Sequence, residues 1–203
     1  DTDKVTRYLR ECEEKGFKVE PPHVNISRWQ FRAKGETVVF GLGAIKGVGQ
    51  AAIDGMLAER QDGGNFTDLF ELCRRVDLRK VNRRVFDALI RAGALDPMGD
   101  TRASQLANLD KALRMAEQYS RNLDTGQNDL FGDPESAAPL PVEKQVLPEW
   151  EEEKRLQGEM DALGLYLTGH PIARYEPELV NITSGKLAEM AALCTAVPAS
   201  NQD

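Results

Sequence analysis

Gly41, Gly43, Gly47 and Gly49 put four glycines into nine residues, with Lys46 among them. Glycine lets a backbone come close to another group and accept positive φ. After Gly49 the pattern changes: Ala52, Ile53, Met56 and Leu57 share one face of a helix. A tight Gly47-Val48-Gly49 turn that opens a helix leaves the first helical N–H groups unpaired and outward. Amides in that position hold a phosphate, and Lys46 beside them adds a mobile cation. The chemistry this stretch offers is anion binding.

Three motifs share these glycines, and spacing separates them. A P-loop requires Lys-Ser/Thr after its glycines, where this chain has Gln50-Ala51. A dinucleotide fingerprint fits Gly47, Gly49 and Ala52, but the stretch from Asp68 to Val76 reads as helix, so the βαβ unit is missing. In a helix-hairpin-helix, Gly41 to Lys46 would be the first helix and Gln50 to Arg60 the second. Its backbone amides would hold a DNA phosphate and read no base. The plainer alternative is that the glycines only let helices pack closely.

The stretch from Asp68 to Ala92 repeats the plan of helix, turn and helix, with Arg79, Lys80 and Asn82 where the first turn has its glycines. Between Arg74 and Arg91 lie seven basic residues, Arg83 and Arg84 among them, against only Asp77 and Asp87. Ordinary i,i+4 pairing, such as Asp87 with Arg91, accounts for part of this. The cluster at the turn is left over. Two such hairpins side by side would grip both backbones of a duplex across the minor groove.

A further candidate is Gln127-Asn128-Asp129-Leu130-Phe131, inside a polar, Pro-, Gly- and Ala-rich stretch from Asn122 to Val146 that reads as an exposed linker. Leu130 and Phe131 have no core there to join. They fit a docking peptide that fills a partner's pocket, or a local fold-back onto the preceding helix.

The elements that must position these residues follow from periodicity. Asp3 to Lys15 predicts a helix stopped by Gly16. Phe17 to Val19 is a short extended run, and Gln30 to Ala33 with Thr37 to Phe40 predicts a β-hairpin. This N-terminal segment is too small for a core of its own, so it is expected to lean on a neighbour absent from the chain. Thr67 is expected to cap a helix to Val76, and Gly93 to stop one begun at Val81 or Asn82. Longer helices are expected from Thr101 to Tyr119 and Glu149 to Leu163, then a fixed turn at Leu165 to Pro171 and a last helix near Lys186 to Cys194.

Composition sets outer limits. The 203 residues carry a formal net charge of −7, which argues against strong DNA binding by the chain as a whole, so any DNA contact must be local. No signal peptide or membrane-length apolar run is present in the sequence. Cys12, Cys73 and Cys194 make no metal-ligand spacing and read as reduced thiols. His23 and His170 lie next to prolines or one residue away, without a nearby cluster of carboxylates, and read as structural. The first residue is not Met, so the chain reads as a piece of something longer.

Five stretches together resemble the alpha subunits of bacterial replicative DNA polymerase III. They are Pro21 to Asn25, Gly41 to Gly49, Asn82 to Val85, Leu89 to Ala94 and Leu163 to Pro171. The resemblance covers most of residues 1 to 180 in the family's order. It implies a mainly α fold with a tandem helix-hairpin-helix domain, a small N-terminal helix and β-hairpin, and a C-terminal helical extension. By this likeness residues 1–40 are the end of a polymerase fingers region and 41–120 the duplex-gripping hairpins. Residues 121–147 are a linker bearing a sliding-clamp motif, and 148–203 approach an OB domain.

The DNA-binding residues are then Lys46, Gly47, Val48, Gly49, Arg79, Lys80, Asn82, Arg83 and Arg84, and the clamp-binding ones Gln127, Asp129, Leu130 and Phe131. The implied partners are duplex DNA, the sliding clamp and other replicase subunits, in the cytoplasm and with no membrane. The family is a DNA-directed DNA polymerase, a nucleotidyltransferase whose palm aspartates hold two Mg²⁺ ions. No stretch here resembles that palm, so no catalytic residue, metal or other cofactor is expected in this chain. The alternatives are a stand-alone helix-hairpin-helix repair or scaffold protein that docks on the same clamp, and a nucleotide-binding enzyme.

Overall fold

The computed structural model describes residues 2–124, 143–179 and 182–183. They form two units, one running to Thr168 and the other beginning at Gly169. The fold is mainly helical, with one small sheet.

Helix α1 spans Thr2–Glu14. Strands β1 (Lys18–Glu20), β2 (Arg32–Lys34) and β3 (Thr37–Val39) follow. The expected hairpin is there: β2 and β3 are antiparallel, with Ala33 opposite Val38. The extended run after α1 becomes a third strand, parallel to β3, with Val19 opposite Val38. Phe40, just beyond β3, is fully buried, with the Phe31 ring 4.7 Å away.

The N-terminal segment does lean on a neighbour, but that neighbour is in the chain. Val24 donates its amide to Ala94 O at 2.8 Å. Asn25 and Phe66 exchange two hydrogen bonds, Nδ2 to carbonyl and amide to Oδ1, each 2.8 Å. Arg60 donates to the carbonyls of Val24 and Ser27. His23 serves the same turn, because its Nδ1 accepts the Asn25 amide at 3.0 Å. The expectation of an absent neighbour is thereby corrected: these hydrogen bonds, together with Leu9, Val24 and Phe40 in the apolar core shared with the helices, make the connection.

The helical part is α2 (Gln50–Gly63), α3 (Leu69–Arg75), α4 (Arg83–Arg91), α5 (Arg102–Asp124) and α6 (Glu152–Leu163). Ile53, Leu72, Phe86, Leu89 and Leu109 are fully buried between them. α3 and α4 pack on α5, and α4 also packs on α6. The cap of α3 is Asp68 rather than Thr67, its carboxylate accepting the Glu71 amide at 2.9 Å. Thr67 instead donates its amide and hydroxyl to Glu71, so the two residues close the helix start from both sides. At the other end of α4, the amides of Gly93 and Ala94 fold back on the carbonyls of Ile90 and Leu89. That is the helix stop expected of Gly93.

Two features differ from the linker expectation. α5 continues to Asp124. Beyond the undescribed stretch, residues 143–150 run without regular structure as a strap along α5. Asn108 brackets the backbone of Gln145 with two hydrogen bonds, and Ser104 accepts the Leu147 amide at 2.8 Å. In the second unit only a 3₁₀ turn at Ala173–Tyr175 and the short α7 (Glu176–Leu179) are described. The helix expected near Lys186 to Cys194 lies outside the described residues, as do Gln127, Asp129, Leu130 and Phe131.

Candidate nucleic-acid interface

The four glycines divide into two pairs with different work. A Cβ on Gly41 would lie 2.6 Å from the Gln30 backbone, and one on Gly43 2.6 Å from the Trp29 ring. Those two glycines allow close packing, as the plainer reading supposed. Around Gly47 and Gly49 a Cβ would meet nothing within 4 Å, and both residues are exposed. Gly47 has φ +81°, the left-handed conformation that reverses the chain. Gly49 caps α2 with no side-chain hydrogen bond, so no side chain covers the first amides of that helix.

The turn is rigid from beneath. Val48 is 7% exposed, and its amide donates to Ile45 O at 3.3 Å. Of the proposed contact residues it is the anchor. The Lys46 amide donates to Ala162 O at 2.8 Å, which ties the turn to the end of α6, while the Lys46 side chain stays exposed. The expected first helix from Gly41 to Lys46 is reduced to one 3₁₀ turn, Leu42–Ala44. The close contact with Trp29 and the need to bury Leu42 and Ile45 leave no room for a full α-turn.

The second hairpin has a different surface. Asn82 caps α4 by accepting the amides of Arg84 and Val85 at 3.0 and 3.3 Å. Its helix start is therefore covered by a side chain, and cations rather than amides are what this turn presents. Arg79 makes a two-point bond to Asp77, 2.9 and 3.1 Å. Arg83 bonds Asp110 of α5 at 2.7 Å. Hydrogen bonds from these arginines hold the carboxyls of Asp77 and Asp110 below the usual carboxylate range, and Asp110 raises the pKa of Arg83. Lys80 and Arg84 are exposed.

Part of the charge counted from sequence turns inward. Arg75 bonds Glu71 and the carbonyls of Glu59 and Gly64, and stacks on Phe66 at 4.4 Å. Arg91 pairs with Asp87 at 2.8 Å, the i,i+4 pair read from spacing. Sequence reasoning missed the group that fixes α4, α5 and α6 together. Arg102 donates to Asp96, to Glu159 and to Arg91 O, and Glu159 also accepts the amides of Leu167 and Thr168. Nothing in the spacing of one arginine and one glutamate 57 positions apart marks that pair. Among the described residues no cluster of His, Cys, Asp or Glu could hold a metal ion, and no helix is long and apolar enough to cross a membrane.

Comparison with known proteins agrees with this geometry. A family model described as a helix-hairpin-helix motif matches residues 16–105, which contain both turns. The DNA polymerase III subunit alpha of Vibrio cholerae is 45% identical over 94% of this chain. The proteins of that name from Haemophilus influenzae and Escherichia coli K12 are 43% and 40% identical over 94% and 91% of it. The chain spans about one sixth of the length of these relatives, 16 to 17%. By this similarity along nearly its whole length, the chain is homologous to one helix-hairpin-helix-bearing stretch of the bacterial DNA polymerase III alpha subunits.

Proposed function

We propose that this chain holds duplex DNA through its phosphates for a replicative polymerase, without reading sequence. The observation that carries the proposal is the open Gly47-Val48-Gly49 turn at an uncapped helix start, with the exposed side chain of Lys46 beside it. Backbone donors and a helix dipole there suit one phosphate. Lys80, Arg83 and Arg84 supply cations for the second backbone, with Arg79 and Asn82 shaping their turn. Gln127, Asp129, Leu130 and Phe131 would add a tether to the sliding clamp, and a cytoplasmic location and contact with other replicase subunits follow from the same reading. Polymerisation itself belongs, on this proposal, to the relatives' remaining length.

The test is titration of a mixed-sequence duplex by anisotropy at several salt concentrations. Neutralising roughly two to four phosphates gives a slope of log K against log[salt] of about −2 to −4. A strong preference for one sequence, or binding that ignores salt, would overturn the proposal.

A further inference from the structure

Asp110 lies on α5, outside both hairpins, yet its carboxylate meets Arg83 of α4 as a phosphate would. Arg83 Nε donates to one carboxylate oxygen at 2.7 Å and a terminal nitrogen approaches the other at 3.5 Å. This is the fork geometry by which guanidinium groups take carboxylates and phosphates alike. The pair is exposed, 54% on Arg83 and 56% on Asp110, so it lies where a ligand can reach it. Exposed pairs are weak, which makes exchange of partners easy. Arg114, one helical turn beyond Asp110 on α5, also acts electrostatically on the carboxylate. It offers the carboxylate a second cation once Arg83 is taken.

We propose that Asp110 is an internal competitor for the duplex: it occupies Arg83 in the free chain, and a DNA phosphate displaces it. This rests on the phosphate-binding reading of the second hairpin. Asp77 holds Arg79 in a similar two-point pair, but it also accepts the Arg79 amide and so builds the turn. Among the described residues Asp110 accepts no hydrogen bond from the backbone of the turn, only those from the Arg83 side chain, so its role can be isolated. The competitor keeps the grip weak, as a protein that moves along DNA requires.

The experiment uses the 203-residue chain and a mixed-sequence DNA duplex, titrated over a range of salt concentrations. Asp110→Asn should bind about two- to fivefold more tightly than wild type, the range an exposed pair supports. Its salt slope should stay close to that of wild type, because Arg83 meets the phosphate in both. In the Arg83→Gln background the same substitution should change affinity far less, which separates competition at Arg83 from a general change of net charge. Asp110→Ala should behave as Asp110→Asn. Weaker binding by Asp110→Asn would mean that the carboxylate positions Arg83 for DNA, and equal gains in both backgrounds would mean a bulk charge effect; either result overturns the proposal. If wild type itself shows no salt-dependent binding, the phosphate-grip reading fails first.

Discussion

Arg102 on α5 and Glu159 on α6 form an ion pair at 3.2 Å with only 2% and 1% of their side chains exposed. Each charge is compensated by the other and by further hydrogen bonds, from Arg102 to Asp96 and Arg91 O, and to Glu159 from Leu167 and Thr168. Removing Glu159 leaves buried Arg102 with Asp96 as its remaining carboxylate partner and strands the amides of Leu167 and Thr168, at a cost of up to about 3–5 kcal/mol. Glu159→Ala should therefore lose that much stability in denaturant unfolding. Glu159→Gln should lose less, since its amide oxygen can still accept. Equal, small losses for both would mean that the pair is solvated in solution.

Gly47 and Gly49 are exposed neighbours with different backbones. Gly47→Ala puts a side chain at φ +81°, which costs about 1–2 kcal/mol. Gly49 has φ −85° and open space around it, so Gly49→Ala should fold with stability near wild type. If a phosphate sits on the α2 amides, the Gly49→Ala methyl will hinder it and duplex affinity will drop. Unchanged affinity for a folded Gly49→Ala would remove this turn from the interface.

Arg83→Glu with Arg84→Glu should weaken duplex binding strongly and flatten the salt slope, while stability shifts by no more than about 0.5 kcal/mol. Arg75→Gln should do the reverse, because Arg75 is tied into the protein by Glu71, two carbonyls and the Phe66 ring. Parallel melting curves and titrations of the two variants decide between an interface and a merely solvated basic face.

Leu130→Ala with Phe131→Ala should abolish binding to purified sliding clamp in calorimetry and leave duplex binding intact. Burying the two side chains contributes about 1.5–3 kcal/mol each, against about 2–5 kcal/mol for ordering a peptide. The expected affinity of the isolated peptide is thus on the order of micromolar. A double variant that binds the clamp like wild type would rule the peptide out.

Protonation of His23 should destabilise the N-terminal segment. Burial and the nearby Arg60 lower its pKa below the ordinary value of 6.5. The unfolded chain then takes up the proton first, so stability is present above about pH 6.5 and is lost as pH falls toward the folded pKa. The structure gives a reason, since a protonated Nδ1 cannot accept the Asn25 amide. Thermal unfolding at a series of pH values should show this slope, and His23→Gln should flatten it. An identical slope in that variant would assign the effect to other groups.

The sequence made the helices legible because their apolar stripes had to meet: Val85, Leu89 and Ala92 of the α4 region are buried as their spacing required. The turn at Gly47 was legible because only one residue type tolerates its backbone. Direction was not. A count of arginines cannot tell Arg75, turned inward, from Arg84, turned out. Nor could it show that Asn82 covers the second helix start. The strap at Gln145 to Leu147 looked like linker because side chains of Asn108 and Ser104, and no apolar pattern, hold it in place.

The bond from the Lys46 amide to Ala162 O has a consequence for synthesis. The ribosome delivers the first hairpin long before α6, and at roughly 5–20 residues per second the delay is on the order of ten seconds. Until then the hairpin lacks its last backbone anchor. Closing so long a loop adds little entropy cost beyond that of a shorter one, so the wait is kinetic. A nascent or prematurely terminated chain that ends before α6 would carry every glycine and cation of the hairpins, but with the Lys46 turn untethered.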